Sequence, residues 1–478
     1  MPAVVLIVCV ALTLAAPWGR YAAPFALLGL ALGVRWAQGD GRERRFVLGV
    51  VAAGLVLRLL FALMIHSLEH PPSGPFYFFD DVSYHTWGAR IAADWRAGLR
   101  PRLSGEGLIG SLHTGYYRVV GVVYYLSGRA WPGLAIALNA LFGALASAVV
   151  FYLTGPILSH RLGKPRKPES SPPAPGADAS TTSFACKSAE STAPAAAVCG
   201  TAHQAALIAA VHPGLLYWSA FVLKDTLHAL LFLAAVWLYL EARQARERGE
   251  RWLLWAPALA GVLGWLAIVR AYSPVVLATT AFVFELVWGR RRVRLVAGAA
   301  AVCAGLAIAA AASRPIFEIL DQLLFSFLNL VPDAVGSVGR VYVRMAASLP
   351  RFFLSPYGWV VWERGTLRPV WDVSYYSYPG QWVNYVLIYP LALAGVGRAF
   401  REDLRGVFFI LLPLFLQFYL YMITFGGAAP RQMLPFVPLF GVMAALGEAR
   451  RPALSVFLLY YALLGAFIAA HLSSLLVG

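Results

Sequence analysis

Charge is scarce in this sequence. Only 13% of its 478 residues are Asp, Glu, Lys or Arg, about half the share in a soluble globular protein, so a compact soluble domain is excluded. Lysine is scarcer still, with Lys164, Lys167, Lys187 and Lys224 the whole complement. The four cysteines, Cys9, Cys186, Cys199 and Cys303, show no disulfide framework and no metal-ligand spacing. No Gly-rich phosphate loop, HExxH pair or nucleophile elbow occurs, which leaves nucleotide hydrolysis and metalloprotease chemistry without a motif. No repeat of fixed period is evident.

What the sequence has is apolar mass. Hydrophobic residues make up 60% of the chain, enough for a ceiling of ~14 membrane spans at ~20 residues each. The runs are long and continuous, unlike the ~10-residue alternating segments of an outer-membrane barrel. They fall at 3–17, 21–37, 47–65, 132–155, 203–222, 226–243, 253–270, 272–288, 294–312, 380–398, 406–424, 431–447 and 453–475. The pattern predicts an all-α polytopic integral membrane protein with about thirteen transmembrane helices, in a range of roughly 11–14. The first run has no basic residue before Val4, so it reads as a retained helix rather than a signal peptide.

The net charge of +16 would suggest nucleic acid in a soluble protein. Here the basic residues sit between apolar runs, and no nucleic-acid partner is expected. When the spans alternate, the clusters Arg42/Arg44/Arg45, Arg243–Arg251, Arg290–Arg294, Arg398–Arg405 and Arg450/Arg451 share one side. The positive-inside rule makes that side cytoplasmic. Two long loops, 66–131 and 313–379, then face outward, and both are expected to carry juxtamembrane helices. The chain divides into an N-terminal transmembrane part, 1–155, a linker, 156–202, and the remaining spans, 203–478. The linker is rich in Pro, Ala, Ser and Thr, a composition that predicts a disordered cytoplasmic segment.

Chemistry gathers on the outward side. Asp80 and Asp81 follow an aromatic run in FYFFDDVSYHTWGAR. Adjacent acids at a helix exit bind a cation, pair with Arg, serve as a base with its orienting partner, or cap the next helix. A divalent cation there is not indicated, because no His or third carboxylate at ligand spacing completes a metal site. Lys224 stands beside Asp225 at a hairpin end in a chain that otherwise uses Arg. A compact ammonium suits a phosphate oxygen, although a lysine can equally snorkel at an interface. Arg270, in WLAIVRAYSP, and Arg431, after GGAAP, are cations at two further outward helix ends. An acid pair among cations on one face suggests an anionic substrate and an acid–base step. The second outward loop, with Trp, Tyr, Pro and Arg in SPYGWVVWERGTLRPVWDVSYYSYPGQW, supplies either sugar-stacking rings or an interfacial aromatic belt.

Asp80-Asp81-x-x-Tyr84, with Ala89-Arg90 and Ala97-Gly98 after it, resembles the first-loop motif of membrane glycosyltransferases with the GT-C fold. These include protein O-mannosyltransferases and the bacterial enzymes that move aminoarabinose onto lipid A. HPGLLYWSAFVLKD, His212 to Asp225, resembles a later hairpin of the polyprenyl-phosphate-dependent members, and GGAAPRQMLPFVP resembles their Gly…Arg…Pro segment. The chain departs from the pattern with Asp at 81 in place of the commoner Glu, with HTGYYR (His113 to Arg118) in place of a Lys-Pro-Pro segment, and with the inserted linker.

The resemblance implies a GT-C-like fold and a bacterial inner-membrane enzyme with its site on the periplasmic side. A sugar would move from a polyprenyl-phosphate-linked donor to a glycan, lipid or protein acceptor, with inversion at the sugar carbon. Asp80 would be the catalytic carboxylate and Asp81 the second acid. Lys224, Arg270 and Arg431 would meet the donor phosphate, with Asp225, Tyr84 and His113 in support. No cofactor is named. Two other readings share these features: a transporter or flippase of a lipid-linked saccharide, and a polysaccharide polymerase or ligase. Transporter sites sit near the bilayer midplane on broken helices, whereas these ionisable groups gather at one face.

Overall fold

The computed structural model describes residues 19–68, 76–101, 114–159, 193–250, 252, 255–270, 272–288, 360–363, 366–369, 383–402, 405–425, 434–448, 458–462 and 465. In chain order the helices begin with α1 (Gly19–Gln38), α2 (Gly41–Leu68), α3 (Phe79–Arg96), α4 (Gly115–Ser127) and α5 (Pro132–Ser159). They continue with α6 (Ala193–Val211), α7 (Pro213–Ser219), α8 (Asp225–Glu247), α9 (Ala256–Val269) and α10 (Tyr272–Trp288). A π-helical turn, Asn384–Ile388, leads into α11 (Tyr389–Glu402), followed by α12 (Arg405–Phe425) and α13 (Val437–Glu448).

Among the described residues, three helices are long and apolar enough to cross a membrane: Gly41–Ser67, Pro132–Leu158 and Asp225–Glu247. Their surroundings differ. On α2 an apolar flank holding Leu48, Leu60 and Leu63 is more than half exposed, as lipid contact requires. Helix α8 is enclosed almost all round, with Leu227, Phe232, Leu233, Trp237 and Leu238 fully buried, and it is the core of the bundle. Asp40 starts α2 by accepting the amides of Arg42 (2.8 Å) and Glu43 (2.7 Å) on Oδ1, which satisfies two amides left open at a helix start.

The first long loop, 66–131, contains α3 and α4. These pack closely because glycines face each other's helix: a Cβ on Gly88 would lie 2.4 Å from Val120 Cγ1, and one on Gly121 would lie 2.6 Å from Ile91 Cγ2. Gly128, at φ +73°, ends α4 in a left-handed turn before α5.

In the second long loop, β1 (Val360–Glu363) pairs antiparallel with β2 (Thr366–Pro369), Val360 opposite Pro369; the rest of 313–379, where a juxtamembrane helix is expected, lies outside the described residues. The β-branched and aromatic residues of VVWE favour a strand. One expectation is corrected: the linker is shorter than its composition implied, because α5 continues to Ser159 and α6 already begins at Ala193. The alanine-rich stretch APAAAVCGTAHQAALIAAV has strong helix propensity, which outweighs the resemblance of its first residues to loop. Residues 160–192 lie outside the described residues. Cys199, within α6, is disulfide-bonded, a pairing that the cysteine positions do not announce.

Candidate functional site

The approach to α3 fixes the acid pair. Phe78 and Tyr77 pack edge-on against Phe221, with ring centroids 5.0 and 5.3 Å away, and the Tyr77 hydroxyl donates to the carbonyl of Ile65 at the top of α2 (3.1 Å). Helix α3 therefore starts beside the segment that follows α7. Asp80 and Asp81 both fall in its first turn, where the unsatisfied amides and the helix dipole favour a carboxylate. Asp81 is buried and accepts the amide of Tyr77 on Oδ2 at 3.4 Å. Asp80 is half-buried. Tyr84, one turn along α3, is buried against Tyr116 and Tyr117 of α4, each 4.9 Å away between ring centroids.

The second half of the site is carried by residues 220–225. Their backbone is gripped from both sides: His66 donates to the carbonyl of Ala220 (2.9 Å), and Asn139 Nδ2 donates to those of Phe221 (2.6 Å) and Leu223 (2.8 Å). This brings Lys224 to the start of α8, with its Nζ 6.0 Å from the centroid of the Tyr84 ring, within cation–π range. Asp225 opens α8, almost fully buried, and its Oδ1 receives Arg270 Nη2 at 2.9 Å. Arg270 Nη1 donates to the Tyr272 hydroxyl at 3.1 Å. One turn into α8, His228 meets Ser273 Oγ at 2.8 Å.

The two halves share Tyr116. Its phenol is fully buried, and desolvation holds its pKa well above the ordinary tyrosine value, with Asp81 and Asp225 adding to the rise. A neutral phenol thus stands within the field of both carboxylates. Gly115 lets α4 lie directly on the end of α9, since a Cβ there would be 2.9 Å from Val269 Cγ2 and 3.0 Å from the Ile268 carbonyl.

The structure brings together five of the residues singled out from the sequence, Asp81, Tyr84, Lys224, Asp225 and Arg270, and places Asp80 beside Asp81 in the first turn of α3. His113 and Arg431 lie outside the described residues. Arg270 binds a carboxylate of the protein itself, which makes it the holder of Asp225. Among the described residues, no group of three or more His, Cys, Asp and Glu side chains is placed to hold a metal ion.

Sequence reading missed Tyr116, Asn139 and His66. Asn139 did leave a signal, since it is the one amide side chain in the apolar run PGLAIALNALFGALASAVVFYLT. Comparison with protein families, with curated proteins and with solved structures finds no match.

Proposed function

We propose that the chain is a membrane glycosyltransferase that moves a sugar from a polyprenyl-phosphate-linked donor to an acceptor hydroxyl. The reaction is assigned to the Asp225 end of α8, on the periplasmic face of the bacterial inner membrane. One observation carries the reading: the buried acids Asp81 and Asp225, at the starts of α3 and α8, both act on the buried Tyr116 phenol, with Lys224 near the Tyr84 ring and Asp80 beside Asp81. The likeness of the Asp80-Asp81-x-x-Tyr84 segment to the GT-C first-loop motif points the same way.

In this mechanism Asp80, the more accessible acid, takes the proton of the acceptor hydroxyl while its oxygen bonds to the anomeric carbon. The bond from that carbon to the phosphate oxygen breaks, and its electron pair leaves with the phosphate. Lys224 neutralises the charge that develops there, the electrostatic contribution that usually dominates such catalysis. Asp81 orients Asp80 and the start of α3. Arg431 is a second cation for the phosphate, as its sequence position implies.

The test is transfer by protein in nanodiscs supplied with polyprenyl-phosphate sugars and an extract of envelope acceptors. Wild type transfers label, and Asp80→Asn, equally folded, falls by ~10²- to 10⁴-fold as loss of a general base implies. Near-normal turnover in the variant would reject Asp80 as the base. The flippase reading gains support from the helix break at His212, which lies within the bundle. Movement of lipid-linked sugar across liposomes without any transfer would favour it.

A further inference from the structure

A cation stands where the bundle should least tolerate one. Arg58 lies within the span Gly41–Ser67 and is fully buried. Its partners are backbone carbonyls: Nη1 donates to Gly54 (2.9 Å) and Ala210 (2.9 Å), and Nη2 donates to Ala209 (3.2 Å). An ionisable group at membrane depth is costly and is kept for a reason.

The reason lies in the sequence of the neighbouring segment. In an unbroken helix the carbonyl of Ala209 would accept the amide of residue 213, and that of Ala210 the amide of residue 214. Residue 213 is proline and has no amide hydrogen. The amide of Gly214 is turned instead to His212 Nδ1, at 3.1 Å. The helix therefore breaks between α6 and α7, and the two carbonyls that lose their donors are the two that Arg58 serves on α6. A guanidinium suits this task because its fixed fork reaches adjacent oxygens and its charge favours a helix C-terminus.

The break is held on its other sides as well. With Nδ1 accepting, the proton of His212 sits on Nε2, which donates to Asn384 Oδ1 at 2.6 Å in the π-helical turn. About two turns above Arg58 on α2, His66 grips Ala220. Helix α2 thus spans the break, with Arg58 on the α6 side and His66 beyond α7. Gly143 of α5 leaves room for the splint, since a Cβ there would be 2.4 Å from Arg58 Nε.

We infer that Arg58 is a positioning residue that splints the Val211–Pro213 break and thereby sets where α7 delivers Lys224 and Asp225. That Lys224 then meets a phosphate rests on the function proposed above; the splint does not. Hydrogen exchange on purified protein in detergent tests it without any transfer reaction. Arg58→Met should speed exchange of amides 214–226 by ~10- to 100-fold, the loss of charge-assisted bonds, while α11 and α13 keep their wild-type rates. Arg58→Lys, which keeps the charge but loses the fork, should fall between. Adding Pro213→Ala to Arg58→Met returns an amide to Ala209 and should recover much of the protection. Faster exchange spread evenly over all helices, unchanged exchange at 214–226, or no relief from Pro213→Ala would each overturn the inference. If Arg58→Met does not fold, the Arg58→Lys profile and the double variant decide in the same way.

Discussion

The two ends of α8 carry charge in opposite styles. At the Glu241 end, acids and bases meet in a network that ties four helices together. Arg35 of α1 lies 3.6 Å from both Glu43 of α2 and Glu241 of α8. Glu285 of α10 receives Arg243, Arg246 and the Tyr239 hydroxyl on one oxygen, each at 3.1 Å. Arg246 and Glu247 there are about half exposed. At the Asp225 end the charges lie deeper. Asp81 and Asp225 are each 1% exposed and Lys224 8%, and their neighbours among the described residues include tyrosines, backbone amides and the Arg270 guanidinium.

The difference separates a latch from the proposed site. Opposite charges that satisfy one another at a helix junction hold helices in place and ask for no ligand. Acids buried beside a lysine and a neutral phenol create a strong local field, which the proposed reaction would use. Charge count alone would have pointed to the Glu241 end.

The sharpest way to break this contrast is Arg270→Met. It leaves Asp225 buried without its ion-pair partner, a change that costs about 3–5 kcal/mol. The thermal midpoint of the detergent-solubilised protein should fall steeply, and Asp225→Asn in the same background should recover most of the loss, because the buried charge goes with it. Equal melting of wild type and Arg270→Met would show that the pair at 2.9 Å carries no energy. At the opposite end, Arg246→Ala should cost less than about 1 kcal/mol, since the side chain is 57% exposed and Arg243 also serves Glu285. A large loss there would erase the distinction between the ends.

The smallest effect is a slope in pH. On α3, His85 Nδ1 meets the Tyr124 hydroxyl at 2.9 Å, and burial lowers the His85 pKa from 6.5. The unfolded chain therefore takes up the proton first as pH falls. Stability from this group is complete above about pH 6.5, declines as pH drops below that value, and levels off once pH has passed the lowered folded value. His85→Gln should remove this slope from a plot of melting temperature against pH. Parallel curves for wild type and variant would refute it.

Much of this was legible in the sequence, and the parts that were not have a common cause. Apolar runs marked where helices lie, and Asp80, Asp81, Lys224, Asp225 and Arg270 stood out because each interrupts an apolar pattern at a helix end. Arg58 also interrupts one, but it fell inside the run 47–65 and its partners are carbonyls up to 152 positions away. Backbone acceptors exposed by a distant proline leave no local pattern. Asn139 was hidden in the same way, since it holds the carbonyls of Phe221 and Leu223. The hairpin 360–369 and the helical ends of the linker were missed where aromatic and alanine content have two readings. The pairing of Arg270 with Asp225 was not legible, because 45 positions separate the two residues.

If the Asp225 end of α8 receives a lipid-linked phosphate through Lys224, as proposed, binding of polyprenyl phosphate decides it. Wild type, Lys224→Ala, Lys224→Arg and Arg246→Ala would be titrated side by side in nanodiscs. Lys224→Ala should bind ~10- to 100-fold more weakly, since one charge-assisted hydrogen bond contributes about 1.5–3 kcal/mol, with partial recovery in Lys224→Arg and no change in Arg246→Ala. Equal affinity in all four proteins would contradict the proposal and remove Lys224 from the site.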